Sequence, residues 1–501
     1  MVLIRITYLL FALILTILTY VYFTRNYNYW KKRRVPFIKP TFFFGSILEI
    51  AFGRSHPGLF IAKHYWKFTG SYFGFFAFTK PYLVITDPEL IKTVLIEDFN
   101  NFSNRYFHCD EKIDPVMSNG LFAIKNPTWR WLRTKLSPFL SLNKIKHMMA
   151  NIEECDRNLH NYLEDNLGKN VETKEMSARY TTDAIVKYCF GISANSFINE
   201  DGFRLAGKKM LGQSFGRSLI VFCYYYATWI VKLFKFQFIE SSAVDFVRDA
   251  FENAYCQREA NNGKVKNNDL IDILIDLKKQ NLEFNGFTFS RENLLAQAVT
   301  FFSSGFEAAA STLAFALHEL GVNQDIQEKL RNEIKTAVVT HDELTFNAIH
   351  QMKYLQMCVS ETMRKYPAVS FIHRECIDTY KVPGHELTIE KGTPIIVGVY
   401  GLHYNKKYFP DPEKFDPKRF NANNIHKIIN CTYLPFGDGP RSCVGQTLGL
   451  LIVKTAIIHI LRNYIIEKNS FTTEPIILTP FPIIQSKGGV PLTFRRLESA
   501  F

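Results

Sequence analysis

The sequence lacks the cysteine spacing of a disulfide scaffold or of a zinc ribbon. Its nine cysteines are odd in number, include no CxxC pair and follow no regular spacing. This pattern is typical of reduced thiols in a protein that faces the cytosol. Cys443 lies in a glycine-rich segment, whereas ordinary core or surface roles are expected of the other eight, which are Cys109, Cys155, Cys189, Cys223, Cys256, Cys358, Cys376 and Cys431.

Acidic residues are also in short supply, since 47 Asp and Glu face 60 Lys and Arg and leave a net charge of +13. Such a balance favours nucleic acid, anionic lipid or an acidic protein as a partner. No basic run is interleaved with stacking aromatics as in a nucleic-acid module, so nucleic acid is not expected. The 45 phenylalanines suit a large apolar interior or an apolar ligand.

No internal repeat and no Gly/Ser/Pro-rich linker divides residues 45–501, which predicts a single large domain. One polar loop, Asn261–Asp269, separates two helical patterns. Apolar periodicity predicts mainly helices, notably at Glu292–Glu319, Ile326–Val339, Tyr354–Tyr366 and Thr447–Asn463. Strand-like runs are short and occur at Tyr82–Thr86, Pro394–Val399 and Ile476–Thr479. The predicted fold class is therefore mainly α with small β-sheets.

The N-terminal segment is predicted to be a membrane anchor. Ile6–Thr24 is nineteen residues without a formal charge, enough for a helix to cross about 30 Å of hydrocarbon. A cleaved signal peptide is the alternative, but the apolar stretch is too long for one. Tyr20, Tyr22 and Phe23 also stand where a small-residue cleavage site would be needed.

Basic residues flank this segment unequally, and the asymmetry predicts its orientation. Only Arg5 precedes it, whereas the residues that follow include Arg25, Lys31, Lys32, Arg33 and Arg34. The positive-inside rule then places the bulk of the chain in the cytosol. The expected organisation is an anchor over residues 1–24, a basic, proline-containing connector over 25–44 and the globular domain over 45–501.

The strongest motif is FGDGPRSCVG, residues 436–445, which fits the pattern FxxGxRxCxG. Gly439 and Gly445 let the backbone turn tightly and approach a flat ligand. Cys443 precedes a predicted helix, whose N–H groups and dipole can stabilise a thiolate. Arg441 can pair with a carboxylate of the ligand. A thiolate ligand on haem iron favours O–O bond cleavage.

This segment resembles the haem-binding loop of the cytochrome P450 family, the haem-thiolate monooxygenases, and the resemblance extends over essentially the whole chain. The stretch YWKKRRVPFIKP is similar to the connector of insect microsomal members of the detoxification type. The resemblance implies the family's single large fold over residues 45–501 and a haem b cofactor. It also implies that Cys443 binds the iron and that Phe436, Gly439, Arg441 and Gly445 contact the haem.

Two further motifs in the expected order support the resemblance. Glu361 and Arg364 form an ExxR, whose members share one helix face and can pair. With Arg419 of DPKRF they resemble the family's E–R–R network, which implies a structural role in locking the haem-side core. A second set is implied to bind the haem propionates, namely Trp129 and Arg133 of a WxxxR together with Arg374.

The chain departs from the family in the helix implied to activate oxygen, where it reads Ser304-Gly305-Phe306-Glu307-Ala308. Gly305 is expected to allow a local opening of the helix for dioxygen. Glu307, in an apolar stretch, is expected to belong to a proton relay, with a salt-bridged structural carboxylate as the alternative. Ala308 replaces the usual threonine, so Ser304, a water or a substrate hydroxyl is expected to supply the missing bond. Alternatively, protons arrive less efficiently and more peroxide is lost.

Family position makes the aromatic segment Ser214–Phe238 the roof over the substrate and the part nearest the membrane. Its uncharged run of fourteen residues is too short to span a bilayer, and an ordinary buried helix is the alternative. By resemblance the substrate pocket is lined by Phe102, Phe107, Phe122, Val369 and Phe481. Their apolar side chains indicate lipophilic substrates.

The resemblance implies electron supply from an NADPH-dependent flavin reductase with an acidic docking face, and cytochrome b5 is a second candidate partner. Five cations fall near the implied docking surface, namely Arg130, Lys135, Lys144, Lys146 and Lys418. The predicted function is hydroxylation or epoxidation of lipophilic molecules at the endoplasmic reticulum membrane. Two rivals stay open, a haem-thiolate isomerase or dehydratase acting on peroxides and a haem-containing binder or sensor without turnover.

Overall fold

The computed structural model describes residues 2–107, 109–200, 202–212, 214–260, 267–341, 344–479 and 483–498. Most of this part of the chain is helical. The α-helices are α1 (Val2–Thr24), α2 (Tyr29–Lys32), α3 (Leu48–Ala51), α4 (Pro57–Tyr65), α5 (Pro88–Lys92), α6 (Pro115–Asn119), α7 (Thr128–Leu136), α8 (Leu142–Glu164), α9 (Thr173–Phe190), α10 (Phe203–Leu211), α11 (Phe215–Tyr226), α12 (Thr228–Phe234), α13 (Ser241–Ala260), α14 (Leu270–Lys279), α15 (Arg291–Val322), α16 (Gln324–His341), α17 (Phe346–Gln351), α18 (Lys353–Lys365), α19 (Val399–His403) and α20 (Gln446–Asn463).

The strands are short, and they are β1 (Tyr72–Ala77), β2 (Lys80–Ile85), β3 (Val171–Glu172), β4 (Glu283–Phe284), β5 (Phe287–Thr288), β6 (Ile372–Glu375), β7 (Tyr380–Lys381), β8 (Thr388–Ile389), β9 (Pro394–Val397), β10 (Tyr464–Glu467) and β11 (Pro491–Arg496). The largest sheet has the order β1-β2-β9-β6, in which β2 and β9 are parallel and the other pairs antiparallel. A second sheet has the order β10-β11-β3, while β4-β5 and β7-β8 form two-stranded hairpins.

Helix α15 is the central element of the core. The Ser290 side chain accepts the backbone N–H of Asn293 and caps its start, and Glu292 lies in its first turn, where a negative charge favours the helix. Apolar residues occupy nearly every face, so the helix is buried almost all round. Helix α9 packs most extensively against it, and α6, α18 and α20 also contact it.

Six of the seven segments predicted from apolar patterns correspond to elements of the structure. The four predicted helices are confirmed as α15, α16, α18 and α20, and two predicted strands as β2 and β9. The strand predicted at Ile476–Thr479 is wrong, because only Leu478 forms a bridge, with Ser486. The roof segment is two helices, α11 and α12, that meet at Ala227. Of the predicted loop, residues 261–266 lie outside the described residues.

Helix α1 stands apart from this core. Leu3–Thr24 has a mean hydropathy of 2.1 and none of its apolar window is buried, and it is the one helix in the described part of the chain that is long and apolar enough to cross a membrane. It could therefore serve as a membrane anchor. The connector behind it is packed onto the globular domain, because Trp30 is buried against Gly74 and its indole N–H donates to the Phe75 carbonyl.

Candidate functional site

Cys443 is presented by a tight loop just before α20. Gly439 has a φ of +70°, and a Cβ added there would lie 2.0 Å from the Leu95 carbonyl oxygen, so only glycine fits. The Cys443 amide donates to the carbonyl oxygen of Phe436 at 2.9 Å, which closes the loop. Gly445 differs from expectation: its φ is −91°, so the turn itself does not require glycine there.

Opposing effects act on the Cys443 thiol. The expected contribution of the α20 start is present, because the Gly445 N–H donates to the sulfur and lowers the thiol pKa. The nearby guanidinium groups of Arg133 and Arg105 act in the same direction. Burial nevertheless prevails and raises the thiol pKa. The side chain is nevertheless accessible.

Arg441 connects the cysteine loop to the segment before α7. Its Nε donates to the Ser103 carbonyl at 2.9 Å and one Nη donates to the Ile124 carbonyl at 3.0 Å. The guanidinium also stacks 4.0 Å above the ring centre of Trp129 on α7. One helical turn later, Arg133 donates to the Ser442 carbonyl at 3.2 Å. The WxxxR motif is thereby placed directly against the loop of FxxGxRxCxG.

Arg374 and Arg105 complete a group of four guanidinium groups, here called the arginine cluster (Arg105, Arg133, Arg374 and Arg441). Burial lowers the pKa of Arg441, Arg374 and Arg105, and repulsion from neighbouring guanidinium groups acts in the same direction. None of the four forms an ion pair with any described residue, and the buried Nε of Arg374 has no hydrogen-bond partner.

Arg105 stands in FSNRYF and belongs to none of the sequence motifs described above. Its Nη1 donates to the Phe122 carbonyl at 3.0 Å, and its guanidinium lies 4.2 Å from the ring centre of the same residue. An arginine in an aromatic stretch is the only local signal. Its convergence with three other arginines depends on the tertiary fold.

The arrangement fits a haem group. The arginine cluster lacks acidic partners among the described residues, and the two propionates of haem would supply them. A Cβ added at Gly445 or Gly449 would meet no protein atom within 4 Å, so α20 leaves room for a flat ligand beside Cys443. Cys443 would hold the iron, and the arginine cluster would hold the carboxylates.

Helix α15 does not open at Gly305 as expected, since it is a regular α-helix throughout Arg291–Val322. A Cβ on Gly305 would lie 2.6 Å from Cδ1 of Ile185 on α9. The glycine therefore permits close packing of α9 and α15. Ala308 accepts a hydrogen bond from Thr312 through its carbonyl at 2.9 Å, and this bond is compatible with the regular helix.

Glu307 is buried, with 4% of its surface exposed. Its Oε1 lies 2.8 Å from Nζ of Lys174 on α9, and the amide of Gln485 donates to the same oxygen. The geometry thus favours the salt-bridged alternative, while a proton relay stays a prediction. Since Lys174 and Gln485 lie 133 and 178 residues away in sequence, no local pattern reveals them.

Ser304 and Ser311, which lie four residues before and three residues after Ala308 on the same helix face, are in different settings. Ser304 is exposed in the middle of the mostly buried helix α15, and the side chain of Ala308, one turn later, is half-buried. The Ser304 hydroxyl donates to the Thr300 carbonyl at 2.6 Å and keeps its lone pairs as acceptors. Ser311 is 1% exposed and its hydroxyl has no partner among the described residues.

The residues with an implied structural role are brought together. Arg364 makes two hydrogen bonds to the carboxylate of Glu361, at 2.8 and 2.9 Å, and both side chains are fully buried. Arg419 Nε lies 3.3 Å from the same carboxylate. Arg364 also donates to the His403 carbonyl, and the His403 ring accepts the Leu434 amide. The network is thereby linked to the segment that leads into the cysteine loop.

Two of the predicted pocket residues meet. The rings of Phe107 and Phe122 are 5.5 Å apart, whereas Phe102 is fully buried with its ring 4.9 Å from that of Tyr380. Val369 is 49% exposed and forms a backbone bridge with Ile483. Phe481 lies outside the described residues.

The cations predicted to attract a reductase are on or near the surface. Arg130 and Lys135 lie on α7, the helix that contacts the cysteine loop through Arg133. Their side chains and those of the other three are exposed or half-buried, the other three being Lys144, Lys146 and Lys418. A docking role for them stays a prediction.

The domain is mainly helical, and its loop cysteine lies beside four arginines that have no carboxylate partner among the described residues. This combination is typical of the haem-thiolate class of protein. A family model described as Cytochrome P450 matches residues 35–492. The chain belongs to the cytochrome P450 family. It is therefore an oxidoreductase of the monooxygenase type, and its cofactor is haem b.

Known relatives agree with this assignment over nearly their whole length. Cytochrome P450 6k1 of Blattella germanica is 35% identical over 501 residues, which cover 96% of this chain and 95% of that protein. Probable cytochrome P450 6g2 of Drosophila melanogaster is 36% identical, with 94% and 95% covered. Cytochrome P450 9e2 of Blattella germanica is 33% identical, with 96% and 94% covered. The resemblance to insect members is confirmed.

Proposed function

We propose that this chain is a membrane-bound monooxygenase that uses O₂ and NADPH-derived electrons to hydroxylate or epoxidise lipophilic small molecules. Such molecules include xenobiotics, hormones, terpenoids and fatty acids. The observation that carries the proposal is the position of the arginine cluster, which has no carboxylate partner among the described residues, beside the accessible thiol of Cys443. The family supplies the reaction class, and the aromatic side chains of Phe107 and Phe122 support an apolar substrate.

The residues of the chain divide the work of the site. Bound haem supplies the oxygen activation. Arg105, Arg133, Arg374 and Arg441 would fix its orientation through the propionates, and Trp129 holds the Arg441 guanidinium by stacking. Gly445 donates its N–H to the sulfur that binds the iron, which stabilises negative charge there.

We propose that the Glu307 carboxylate, with Lys174 and Gln485, belongs to a relay that passes protons toward the site. Ser304 keeps acceptor capacity on the accessible stripe of the same helix, next to the half-buried Ala308. We infer that a water bound by Ser304, or a substrate hydroxyl, replaces the threonine hydroxyl that this chain lacks.

The proposed setting is the endoplasmic reticulum membrane with the catalytic domain in the cytosol. Residues 1–24 would be the anchor, 25–44 the connector and 45–501 the haem-binding domain. The exposed apolar helix α1 supports the anchor. An NADPH-dependent flavin reductase would supply electrons, with cytochrome b5 as a second donor, and the cations on α7 support docking of an acidic partner.

The iron ligand can be tested by spectroscopy of the purified, haem-loaded protein. The reduced protein with carbon monoxide should show the red-shifted absorbance of sulfur ligation, and Cys443→Ser should abolish it. Cys256→Ser is the matched control. Because Cys256 is exposed, this substitution should leave the spectrum unchanged. An unaltered spectrum in Cys443→Ser would refute the proposal.

A haem-thiolate isomerase or dehydratase that acts on peroxides is the second candidate. Two observations favour it, the loss of the threonine hydroxyl at Ala308 and the salt bridge that occupies Glu307. Such an enzyme needs no reductase. Substrate-stimulated NADPH consumption with added reductase would therefore support the monooxygenase, and peroxide rearrangement without NADPH would support the isomerase.

A further inference from the structure

His373 lies on β6, immediately before Arg374 of the arginine cluster, and is enclosed by aromatic rings. The ring centres of Tyr225 and Phe371 lie 5.1 and 6.2 Å from that of its imidazole. The corresponding distances for Phe122 and Phe107 are 6.3 and 6.5 Å. These five residues are called the aromatic box.

The walls of the aromatic box come from separate parts of the chain. Phe107 and Phe122 precede α7, Tyr225 belongs to α11 of the roof, and Phe371 lies just before β6. Phe107 also contacts Tyr225 directly, at 5.4 Å between ring centres. The rings of the aromatic box meet through side-chain contacts, so a ligand would enter it by displacing rings.

Both imidazole nitrogens of His373 are buried and have no hydrogen-bond partner among the described residues. A buried polar group without a partner is unfavourable, and a ligand that provides one recovers this loss. Burial, followed by the nearby cations Arg105 and Arg374, holds the His373 pKa well below its usual range. A neutral imidazole offers one donor and one acceptor, the same pair that a hydroxyl group offers.

We propose that the aromatic box is a recognition subsite in which His373 hydrogen-bonds the hydroxyl group of a planar aromatic substrate. The rings would hold the apolar body of the molecule, while the imidazole would select for the hydroxyl. This inference rests on the proposed function, because it narrows the lipophilic substrates to hydroxylated aromatics. His373 is thus a specificity-determining residue.

The test compares 2-naphthol with naphthalene, two probes that share a ring system and differ in one hydroxyl. Their dissociation constants are measured on the haem-loaded full chain by equilibrium dialysis and by the shift in haem absorbance. His373→Phe keeps a ring but removes both nitrogens. We expect this variant to lower the preference for 2-naphthol, which is the ratio of the naphthalene to the 2-naphthol dissociation constant, by about threefold to tenfold. This is the range expected for the loss of one neutral hydrogen bond.

Two variants separate recognition from packing. His373→Gln retains a donor and an acceptor and should restore most of the preference, whereas Phe371→Leu should weaken both probes to a similar extent. The inference is overturned if the ratio of the dissociation constants of naphthalene and 2-naphthol is the same in His373→Phe as in the wild-type protein. It is also overturned if this ratio is larger in the variant. Failure of the proposed function is a different result, namely the lack of the red-shifted carbon monoxide spectrum in the wild-type protein.

Discussion

At the scale of single residues, Glu361 provides most of the negative charge that keeps Arg364 buried. Arg364 is fully enclosed, and Arg419 and the Asp416 amide use the same carboxylate. Glu361→Gln removes that charge and leaves a buried guanidinium uncompensated. We expect the free energy of unfolding to fall by about 3–5 kcal/mol, measured by urea unfolding of the haem-loaded protein.

The matched control for this variant is an exposed ion pair. Lys391 and Asp378 lie 3.1 Å apart with more than two thirds of each side chain in solvent. Asp378→Asn should cost less than about 1 kcal/mol, because solvent screens the pair. Equal losses in the two variants would show that the Glu361 network does not lock the core.

Ala308 leads to a prediction about coupling of electrons to product. If a threonine hydroxyl is missed, Ala308→Thr should raise product formed per NADPH, by about fivefold for a hydrogen bond worth about 1 kcal/mol. Conversely, Ser304→Ala should lower the product formed per NADPH. Ser303→Ala is the control and should leave it unchanged, because the Ser303 hydroxyl makes only a 3.3 Å hydrogen bond to the Thr300 carbonyl. No gain in Ala308→Thr would contradict the view that the hydroxyl is missed.

Local motifs located Cys443 and Arg364 because their geometry is decided within a few residues of backbone. The sequence did not disclose Arg105, since its companions Arg374 and Arg441 join it only through the folded chain. A salt bridge at Glu307 was only an alternative in the sequence analysis, and its partner Lys174 was not identified, for the same reason. Long-range partners decide whether a buried charge is structural or reactive, and spacing does not contain that information.

At the scale of elements, the contact between α9 and α15 depends on Gly305. A methyl group there would overlap Ile185, and overpacking costs about 1–3 kcal/mol. Alanine is a better helix former than glycine by about 1 kcal/mol, which offsets part of that cost. We therefore expect Gly305→Ala to be destabilising by up to about 2 kcal/mol in urea unfolding.

A double-mutant cycle with Ile185→Val tests the cause. Valine lacks the Cδ1 atom that the new methyl group would meet. The double variant should therefore lose about 1 kcal/mol less free energy of unfolding than the sum of the two single losses. Gly216→Ala is the control, because a Cβ on this exposed helical glycine meets nothing within 4 Å and should stabilise by about 0.5–1 kcal/mol. Additive effects at Gly305 and Ile185 would be evidence for an origin other than this contact.

Helices were easier to predict than the strand at Ile476–Thr479. A 3.6-residue apolar period is a property of one segment, whereas a strand also needs a neighbour with free hydrogen-bonding groups. Leu478 bridges Ser486 through hydrogen bonds of Thr479 and Ile477, and no second bridge extends this pairing among the described residues. The roof likewise keeps its apolar composition across Ala227, so composition alone does not show that α11 ends and α12 begins there.

At the scale of the whole molecule, apolar surface is concentrated in two places. Helix α1 has none of its apolar window buried, and the roof exposes Trp229, Leu233 and Phe234 by more than half. Isolated apolar residues are common on protein surfaces, whereas a group on one short helix indicates an interaction surface, and we infer that this one contacts lipid. Helix α1 would span the bilayer, and the exposed residues of the roof would lie on its surface.

Removal of residues 2–24 should separate these two contacts. The truncated chain should keep its carbon monoxide spectrum, because Trp30 and the elements after it form the packed domain. It should leave the membrane fraction on alkaline carbonate washing, while the full chain stays in the pellet. Before that wash some truncated protein should remain bound through the roof, and the added substitutions Trp229→Ser and Phe234→Ser should release it. Retention of the truncated chain after carbonate treatment would mean that a segment other than α1 crosses the bilayer.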